Sequence, residues 1–332
     1  MGRVVLVTGV SRYLGGRMAA LLSQQPGVAE VIAADVVAPG HDIGAARFER
    51  ADIRDPALAQ LLTVAKVDTV VHMGVIATPQ QAGGRVPMKE INVIGTMQLL
   101  AACQRSSTVR RLIVKSSAGV YGCGPRDPAM FTEEDDPVSP PRSGWARDCV
   151  EVEGYVRSFT RRRADVDTTI LRFANVIGPR VRTAMTSYLT LPLVPTVLGH
   201  DARLQWVQED DLLAVLIAVS MASDAPATGH RGPRVLNVAG DGVMMLSQCL
   251  RRLDRPVIPV PAGFSGVLGR MLRRGGLVDL TADEARFLAY GRGIDTTALR
   301  TELGLTLRHT TEEAFESFAV PKRGQVGPHA RT

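Results

Sequence analysis

The stretch V-V-L-V-T-G-V-S-R-Y-L-G-G, residues 4–16, indicates how this chain folds. It opens with a run of β-branched and aliphatic residues, Val4 to Val7, which is typical of a central parallel strand buried on both faces. Thr8 and Gly9 end that run, and an apolar stripe with helical spacing begins at Leu14. The stretch therefore predicts a strand, a glycine turn and a helix in immediate succession.

This arrangement is typical of a nucleotide site, because the helix N-terminus and the backbone N–H groups of the turn attract a pyrophosphate. Arg12 stands where a G-x-x-G-x-x-G loop has its middle glycine. Asp35 follows the next apolar strand, about 20 residues after the loop, where a carboxylate bonds an adenosine ribose hydroxyl. An ordinary aspartate that caps the strand is the alternative. The loop residues predicted to contact a cofactor are Gly9, Ser11, Arg12, Tyr13, Leu14 and Gly15.

The composition is that of an ordinary globular protein. The chain has 332 residues, of which 45% are hydrophobic and 22% charged. Its longest strongly apolar run, Leu212 to Ala222, is shorter than the roughly 18 residues that a membrane span needs. The N-terminus carries no signal-peptide pattern. We therefore expect a cytoplasmic protein with no membrane partner.

The net charge of +6 comes from basic residues scattered in pairs and one triplet, with few aromatic residues among them. This pattern argues against a nucleic-acid groove and favours a small ligand that carries a diphosphate. The four cysteines have no C-x-x-C spacing, and no cluster of His and Cys suggests a metal site.

Predicted strands and helices alternate through the first half, which indicates an α/β fold with a doubly wound parallel sheet. On the predicted helix 87–105, we expect the apolar side to carry Ile91, Ile94, Leu99 and Ala102. The predicted strands are 4–7, 31–34, 47–49, 68–73, 111–115 and 168–173, and the predicted helices are 56–64, 87–105 and 145–163.

The second half is broken up by prolines and predicts a smaller, mainly helical lobe. We expect residues 1–176 to form a Rossmann domain that binds NAD(P), with returns of the chain at 203–222 and 233–239. Residues 177–320 would form the substrate lobe, and the basic tail 321–332 would be disordered. Ligands of open α/β sheets bind at the carboxyl ends of the strands, so the cleft beside the lobe is the predicted site.

Further motifs occur in a recognisable order. V-D-T-V-V-H-M-G ends at residue 74, E-I-N-V-I-G-T spans 90–96, V-K-S-S-A-G-V-Y-G spans 114–122 and L-R-F-A-N-V-I-G-P-R spans 171–180. With the glycine loop, they make the chain resemble the extended short-chain dehydrogenase/reductase family, the NAD-dependent sugar-nucleotide epimerases and dehydratases. It is most similar to an actinobacterial subgroup that resembles UDP-glucose 4-epimerases.

The resemblance implies roles for several residues. Ser117 would be the catalytic serine, and Asn175 and Arg180 would bind substrate, although a surface arginine is the alternative for Arg180. Further cofactor contacts are implied for Asp52, Ile53, Met73, Gly74, Asn92 and Ser116.

One motif of the family is missing. The family carries Tyr-x-x-x-Lys on the helix after the active-site strand; the tyrosinate removes a hydroxyl proton, and the lysine lowers the pKa of the tyrosine. Matching the helix to that pattern puts Trp145 at the tyrosine and Cys149 at the lysine. An indole cannot act as a base near neutral pH. None of the five tyrosines is followed four residues later by a lysine.

Substitute chemistry is one interpretation of this change. Asp148 and Cys149 share a helix face with Trp145, and either of them would act as the acid/base group, helped by Ser117. The alternative is a solvated Asp148 and a cysteine that only packs. We expect Lys115 to face away from the cofactor.

Three functions fit the sequence: an epimerase, dehydratase or reductase of a nucleotide sugar with altered catalytic groups, a nucleotide-binding protein without turnover, or a reductase of a non-sugar ketone. Asp35 should favour NAD over NADP, whereas Arg12 in the loop would attract a 2′-phosphate. Two long helices, 87–105 and 145–163, resemble those that pair in the dimers of the family, so we expect a homodimer.

Overall fold

The computed structural model describes residues 2–77, 82–223, 232–261 and 282–323. The strands are β1 Arg3–Thr8, β2 Val28–Asp35, β3 Arg47–Arg50, β4 Thr69–His72, β5 Arg111–Ser117, β6 Met130–Phe131, β7 Asp167–Phe173, β8 Asn175–Ile177, β9 Val194–Val197, β10 Arg203–Leu204, β11 Trp206–Gln208, β12 Arg234–Val238, β13 Met244–Met245, β14 Val257–Val260 and β15 Gly293–Ile294. The helices are α1 Tyr13–Leu22, α2 Ala57–Val64, α3 Arg85–Lys89, α4 Thr96–Arg105, α5 Gly144–Arg162, α6 Ala184–Leu189, α7 Glu209–Met221, α8 Leu246–Arg252, α9 Ala282–Tyr290, α10 Thr297–Leu303 and α11 Thr311–Arg323.

A seven-stranded sheet runs in the order β12-β7-β5-β4-β1-β2-β3. β1 pairs in parallel with β2 on one side and with β4 on the other, so the strand order reverses beside β1. Val5, Leu6 and Val7 are fully buried, as a central strand requires. The predicted α/β fold with a doubly wound sheet is confirmed. In such sheets ligands bind at the carboxyl ends of the strands, where the order reverses.

The structure differs in one respect from the predicted helix 87–105. A π-helical segment, Glu90–Gly95, separates α3 from α4. Each π turn holds an extra residue, so the buried face shifts along the sequence. As a result Asn92 and Val93 are buried, whereas Ile94 is 42% exposed, and its predicted place on the apolar side is wrong. Leu99 and Ala102 are buried as expected.

The chain forms two compact units, each built from separate segments. One contains the described parts of Met1–Ser116, Asp148–Arg172 and Leu213–Leu236, and the other those of Ser117–Arg147, Phe173–Leu212 and Asn237–Thr332. The domain limits expected from the sequence, 1–176 and 177–320, stay a prediction about which segments fold together.

The second unit contains helices and four short strand pairs, β6 with β15, β8 with β11, β9 with β14 and β10 with β13. Its apolar core includes Trp206, Phe315 and Phe318. β10 and β11 belong to these pairs and not to the central sheet, whereas β12 does join that sheet.

The predicted disordered tail, 321–332, includes three residues whose backbone is helical in the structure. The buried Phe315 and Phe318 hold the amphipathic helix α11, and its backbone continues to Arg323. The rest of the predicted tail, 324–332, lies outside the described residues. Among the residues that the structure describes, no helix is both long enough and apolar enough to cross a membrane.

Candidate cofactor site

The glycine turn after β1 is packed so closely that side chains have no room. Gly9 has a φ of 77°, and a Cβ built on it would lie 2.7 Å from the Cα of Gly74, which follows β4. A Cβ on Gly15, in the first turn of α1, would lie 2.2 Å from the carbonyl oxygen of Gly9. The turn therefore presents bare backbone at the carboxyl edge of β1, as a close approach to a pyrophosphate requires.

Asp35 is the last residue of β2, and its carboxylate holds the turn in place. Oδ2 accepts hydrogen bonds from the backbone nitrogen of Ser11 at 2.9 Å and from its hydroxyl at 2.7 Å. Oδ1 accepts from the nitrogen of Val36 at 2.8 Å. Because each carboxylate oxygen accepts about two hydrogen bonds, Oδ1 keeps capacity for a ribose hydroxyl. The ribose contact stays a prediction.

Arg12 is the N-cap residue of α1 and adds a positive charge to the turn. Its guanidinium makes no hydrogen bond with any residue in the described part of the chain. Burial lowers the pKa of Arg12, and the charge of Asp35 partly offsets that effect. An unpaired, partly desolvated cation beside a helix N-terminus is suited to an anion.

His72 is the last residue of β4 and links β1 to the start of α4 through its two ring nitrogens. Nε2 lies 2.9 Å from the hydroxyl of Thr96, which itself donates to the carbonyl oxygen of Asn92 at 2.5 Å. The hydroxyl must therefore accept from Nε2–H, which leaves Nδ1 to accept from the hydroxyl of Thr8 at 2.8 Å. Burial, and then the charge of Lys115, lower the pKa of His72 to about 4.

This neutral histidine predicts a loss of stability in mild acid. Between its unfolded pKa of about 6.5 and about 4, only the unfolded state takes up the proton, so stability falls as the pH falls. Between pH 7 and pH 5 the free energy of unfolding should drop by about 2 kcal/mol through this residue. Urea titrations of wild type and His72→Gln at both pH values measure it. The same drop in both proteins would contradict the assignment.

Asn92, which the resemblance placed at the cofactor, fixes the chain after β4. Its Oδ1 accepts from the nitrogen of Ile76 at 2.7 Å, and its Nδ2 donates to the oxygen of Ile76 at 2.9 Å. Nδ2 also donates to Asp148 Oδ2 at 3.1 Å. These bonds use both N–H groups of the amide, so Asn92 supports the chain after β4, and its predicted cofactor contact stays a prediction.

Asp148 is fully buried, not solvated. Arg85 grips both carboxylate oxygens, with Nη1 to Oδ2 at 2.7 Å and Nη2 to Oδ1 at 2.6 Å. A bidentate arginine together with Asn92 holds the carboxylate in a fixed position. Sequence reasoning missed Arg85, because it lies 63 residues away along the chain and carries no motif.

Cys149 is buried as well, with 1% of its surface exposed. Burial raises the pKa of its thiol far above neutrality, although the charge of Lys115 acts in the opposite direction. At pH 7 the sulfur is therefore a neutral thiol and neither a base nor a cation.

Ser116 faces α5, where its hydroxyl donates to Glu153 Oε1 at 2.7 Å. Arg172 on β7 donates to the same oxygen through Nε at 3.0 Å and to Oε2 through Nη2 at 2.7 Å. The hydroxyl of Ser116 is thus committed to a buried ion pair that sequence reasoning missed. Its predicted cofactor contact stays a prediction.

Asp52 pairs with the exposed Arg54 at 2.6 Å, and the Ile53 side chain occupies the space that a Cβ on Gly95 would need. Met73 is buried directly after β4. Asp52 and Ile53 follow β3, and Met73 follows β4. Their contacts with a cofactor stay predictions.

In the second unit, the Ser117 hydroxyl oxygen accepts from the nitrogen of Gly119 at 2.9 Å. Trp145 Nε1 is buried and has no hydrogen-bond partner among the residues described. Asn175 donates to the carbonyl oxygen of Gln205 at 3.4 Å, and Arg180 is exposed. Across the described ranges, no group of His, Cys, Asp and Glu is arranged to hold a metal ion.

Comparison with known proteins shows which family the chain is similar to. Residues 5–239 match the model of the NAD dependent epimerase/dehydratase family. An uncharacterized protein of Mycobacterium tuberculosis is 44% identical over 320 residues, covering 95% of this chain and 83% of that protein. The UDP-glucose 4-epimerase of Mycolicibacterium smegmatis is 36% identical over 135 residues, covering 40% of this chain and 41% of that enzyme.

Solved structures share the fold. A UDP-glucose 4-epimerase from Thermotoga maritima with UDP-glucose superposes with a TM-score of 0.72 at 18% identity, covering 96% of this chain and 98% of that one. The dTDP-glucose 4,6-dehydratase DesIV from Streptomyces venezuelae, with NAD and TYD bound, gives a TM-score of 0.72 at 21% identity and 97% coverage of each chain. Because the family model covers well over half of its length, the chain belongs to the NAD-dependent epimerase/dehydratase family.

Proposed function

We propose that this protein binds NAD and a nucleotide sugar but lacks the tyrosine–lysine proton transfer of its family. The observation that carries the proposal is the state of the two candidate substitutes. Asp148 is locked by Arg85, with each of its carboxylate oxygens bonded to a guanidinium nitrogen. Cys149 is a buried, neutral thiol. Neither can remove a hydroxyl proton at neutral pH without breaking its surroundings.

The residues of the glycine turn fit a dinucleotide. A Cβ on Gly9 or Gly15 would collide with neighbouring backbone, so the turn can only be bare backbone, and Arg12 offers an unpaired charge to a pyrophosphate. NAD, when bound, accepts a hydride from a sugar carbon. The family assignment and neighbours solved with NAD support this choice of cofactor.

NADH should bind more tightly than NADPH, because the 2′-phosphate would meet the like charge of Asp35 and lose the ribose hydrogen bond. That penalty is about 2–4 kcal/mol, or roughly 30- to 1000-fold in Kd. Fluorescence titrations of both cofactors measure it. Asp35→Ser should narrow the gap, whereas Glu30→Gln, at an exposed ion pair near the amino end of the same strand, should not. Equal or tighter NADPH binding by the wild type would refute the NAD assignment.

For the sugar, the proposal rests on family membership and on relatives that are UDP-glucose 4-epimerases. Ser117 and Asn175 would face the sugar, with the exposed Arg180 available to a substrate phosphate. We also propose a homodimer, because Val86, Ile94 and Tyr155 expose apolar surface on the two long helical segments. Light scattering that gives the mass of one chain at micromolar concentration would remove the dimer.

A further inference from the structure

We propose that Lys115 supplies, from strand β5, the cation that relatives carry at the position of Cys149, and that its ammonium contacts the bound cofactor. The inference rests on the proposed function, since it requires that NAD binds. It departs from the expectation that Lys115 faces away from the cofactor.

The topology brings Lys115 to the edge where the cofactor turn lies. Val114 pairs with His72 of β4, and His72 pairs with Thr8 of β1, so the carboxyl ends of three adjacent strands are level. Lys115 comes one residue after Val114, and Arg12 lies in the loop that follows Thr8.

Lys115 is half-buried, and its ammonium has no hydrogen-bond or ion-pair partner among the residues that the structure describes. Burial lowers the pKa of Lys115, and its electrostatic partners are the thiol of Cys149 and the guanidinium of Arg12. The thiol is neutral at pH 7 because burial raises its pKa, and Arg12 repels the ammonium. Neither partner compensates the charge, so the site is built for an anion or for ligand hydroxyl groups.

Cys149 is consistent with this arrangement. A lysine at that position would bring a second ammonium within electrostatic reach of the first, in a desolvated place where like charges repel strongly. A small, neutral sulfur leaves the space and the charge to Lys115. In this proposal the two positions hold one cation between them, and in this chain the strand carries it.

A charge-swap cycle tests the inference through NADH fluorescence titration and through the Tm without cofactor. Lys115→Met should weaken NADH binding by about 10-fold or more, the effect of losing a charge-assisted hydrogen bond. The same variant should raise the Tm, because it removes a partly desolvated charge that has no counterion among the described residues and that Arg12 repels. A merely structural lysine would lower the Tm. Lys89→Met, at an exposed lysine of the same unit, is the control and should change neither value.

The second half of the cycle moves the cation. Cys149→Lys alone should lower the Tm, because two ammonium groups then share one desolvated region. In Lys115→Met/Cys149→Lys, NADH affinity should return to within about threefold of the wild type. If the double variant does not fold, Lys115→Gln and Lys115→Arg decide: Gln should lose affinity and Arg should keep most of it.

Wild-type affinity in Lys115→Met, or no recovery in the folded double variant, would overturn the role of Lys115 while leaving NAD binding in place. Failure of the wild type to bind NADH or NAD would instead overturn the proposed function. The two failures are thus distinguishable.

Discussion

Arg172→Met should lower the free energy of unfolding by about 3–5 kcal/mol, because it leaves the carboxylate of Glu153 buried without its main counterion. Glu153 and Arg172 are both buried, and three hydrogen bonds of 2.7–3.0 Å from Arg172 and Ser116 satisfy the carboxylate. Arg157, whose side chain is 43% exposed, has its Nη2 3.7 Å from Glu153 Oε2 and therefore replaces little of the lost interaction. Urea unfolding at pH 7 measures the change.

Two further variants show whether the loss of stability comes from the uncompensated charge of Glu153. Arg172→Met/Glu153→Leu/Ser116→Ala removes every member of the group, so most of the stability should return. Arg47→Met breaks an exposed ion pair with Glu30 at 2.8 Å and should cost less than about 1 kcal/mol. A loss below about 1 kcal/mol in Arg172→Met itself would show that the buried pair contributes little.

Restoring the missing family motif should produce the largest gain in activity. The variant Lys115→Met/Trp145→Tyr/Cys149→Lys carries Tyr-x-x-x-Lys on α5, with Lys115 removed so that only one cation remains beside the cofactor. Its epimerisation of UDP-glucose should exceed that of the wild type by about 10²–10⁴-fold, the usual contribution of a positioned acid–base group. Product analysis by chromatography over hours measures it.

The matched control replaces Trp145 by Phe in the same Lys115→Met/Cys149→Lys background. It has an aromatic ring without the phenol oxygen, so it should stay at the level of the wild type. A triple variant that binds NADH and UDP-glucose but has no activity would show that more than this pair separates the chain from an active epimerase.

The fold could be predicted because its signals are local. The run of apolar residues in β1, the glycines of the turn and the apolar stripe of α1 lie within twenty residues of one another, so short-range pattern defines them. The π segment Glu90–Gly95 leaves no such signal, because one extra backbone residue per turn shifts the buried face without changing the composition. For the same reason the strand pairs of the second unit, each two to four residues long, are too short for a pattern of period two.

The site was predictable in outline and not in its electrostatics. Family motifs place Cys149 and Asp148 on a helix, but the burial of both and the grip of Arg85 on Asp148 depend on contacts across 63 residues of chain. A solvated carboxylate and a buried, arginine-bound one are identical in sequence. The same holds for Lys115, whose neighbours along the strand are serines and aliphatic residues, whereas its electrostatic partners come from α5 and the glycine turn.

The central claim is that the wild-type protein binds NAD and a nucleotide sugar without turnover. The most direct test is to incubate it with NAD and UDP-glucose and to measure absorbance at 340 nm and the sugar products over hours. We expect NADH titration to saturate and UDP-glucose to raise the Tm in the presence of NAD, as ligands of the folded state do. No NADH and no UDP-galactose should accumulate. Turnover by the wild type at a rate typical of enzymes, about 1 s⁻¹ or faster, would contradict the account and require a base other than Asp148 and Cys149.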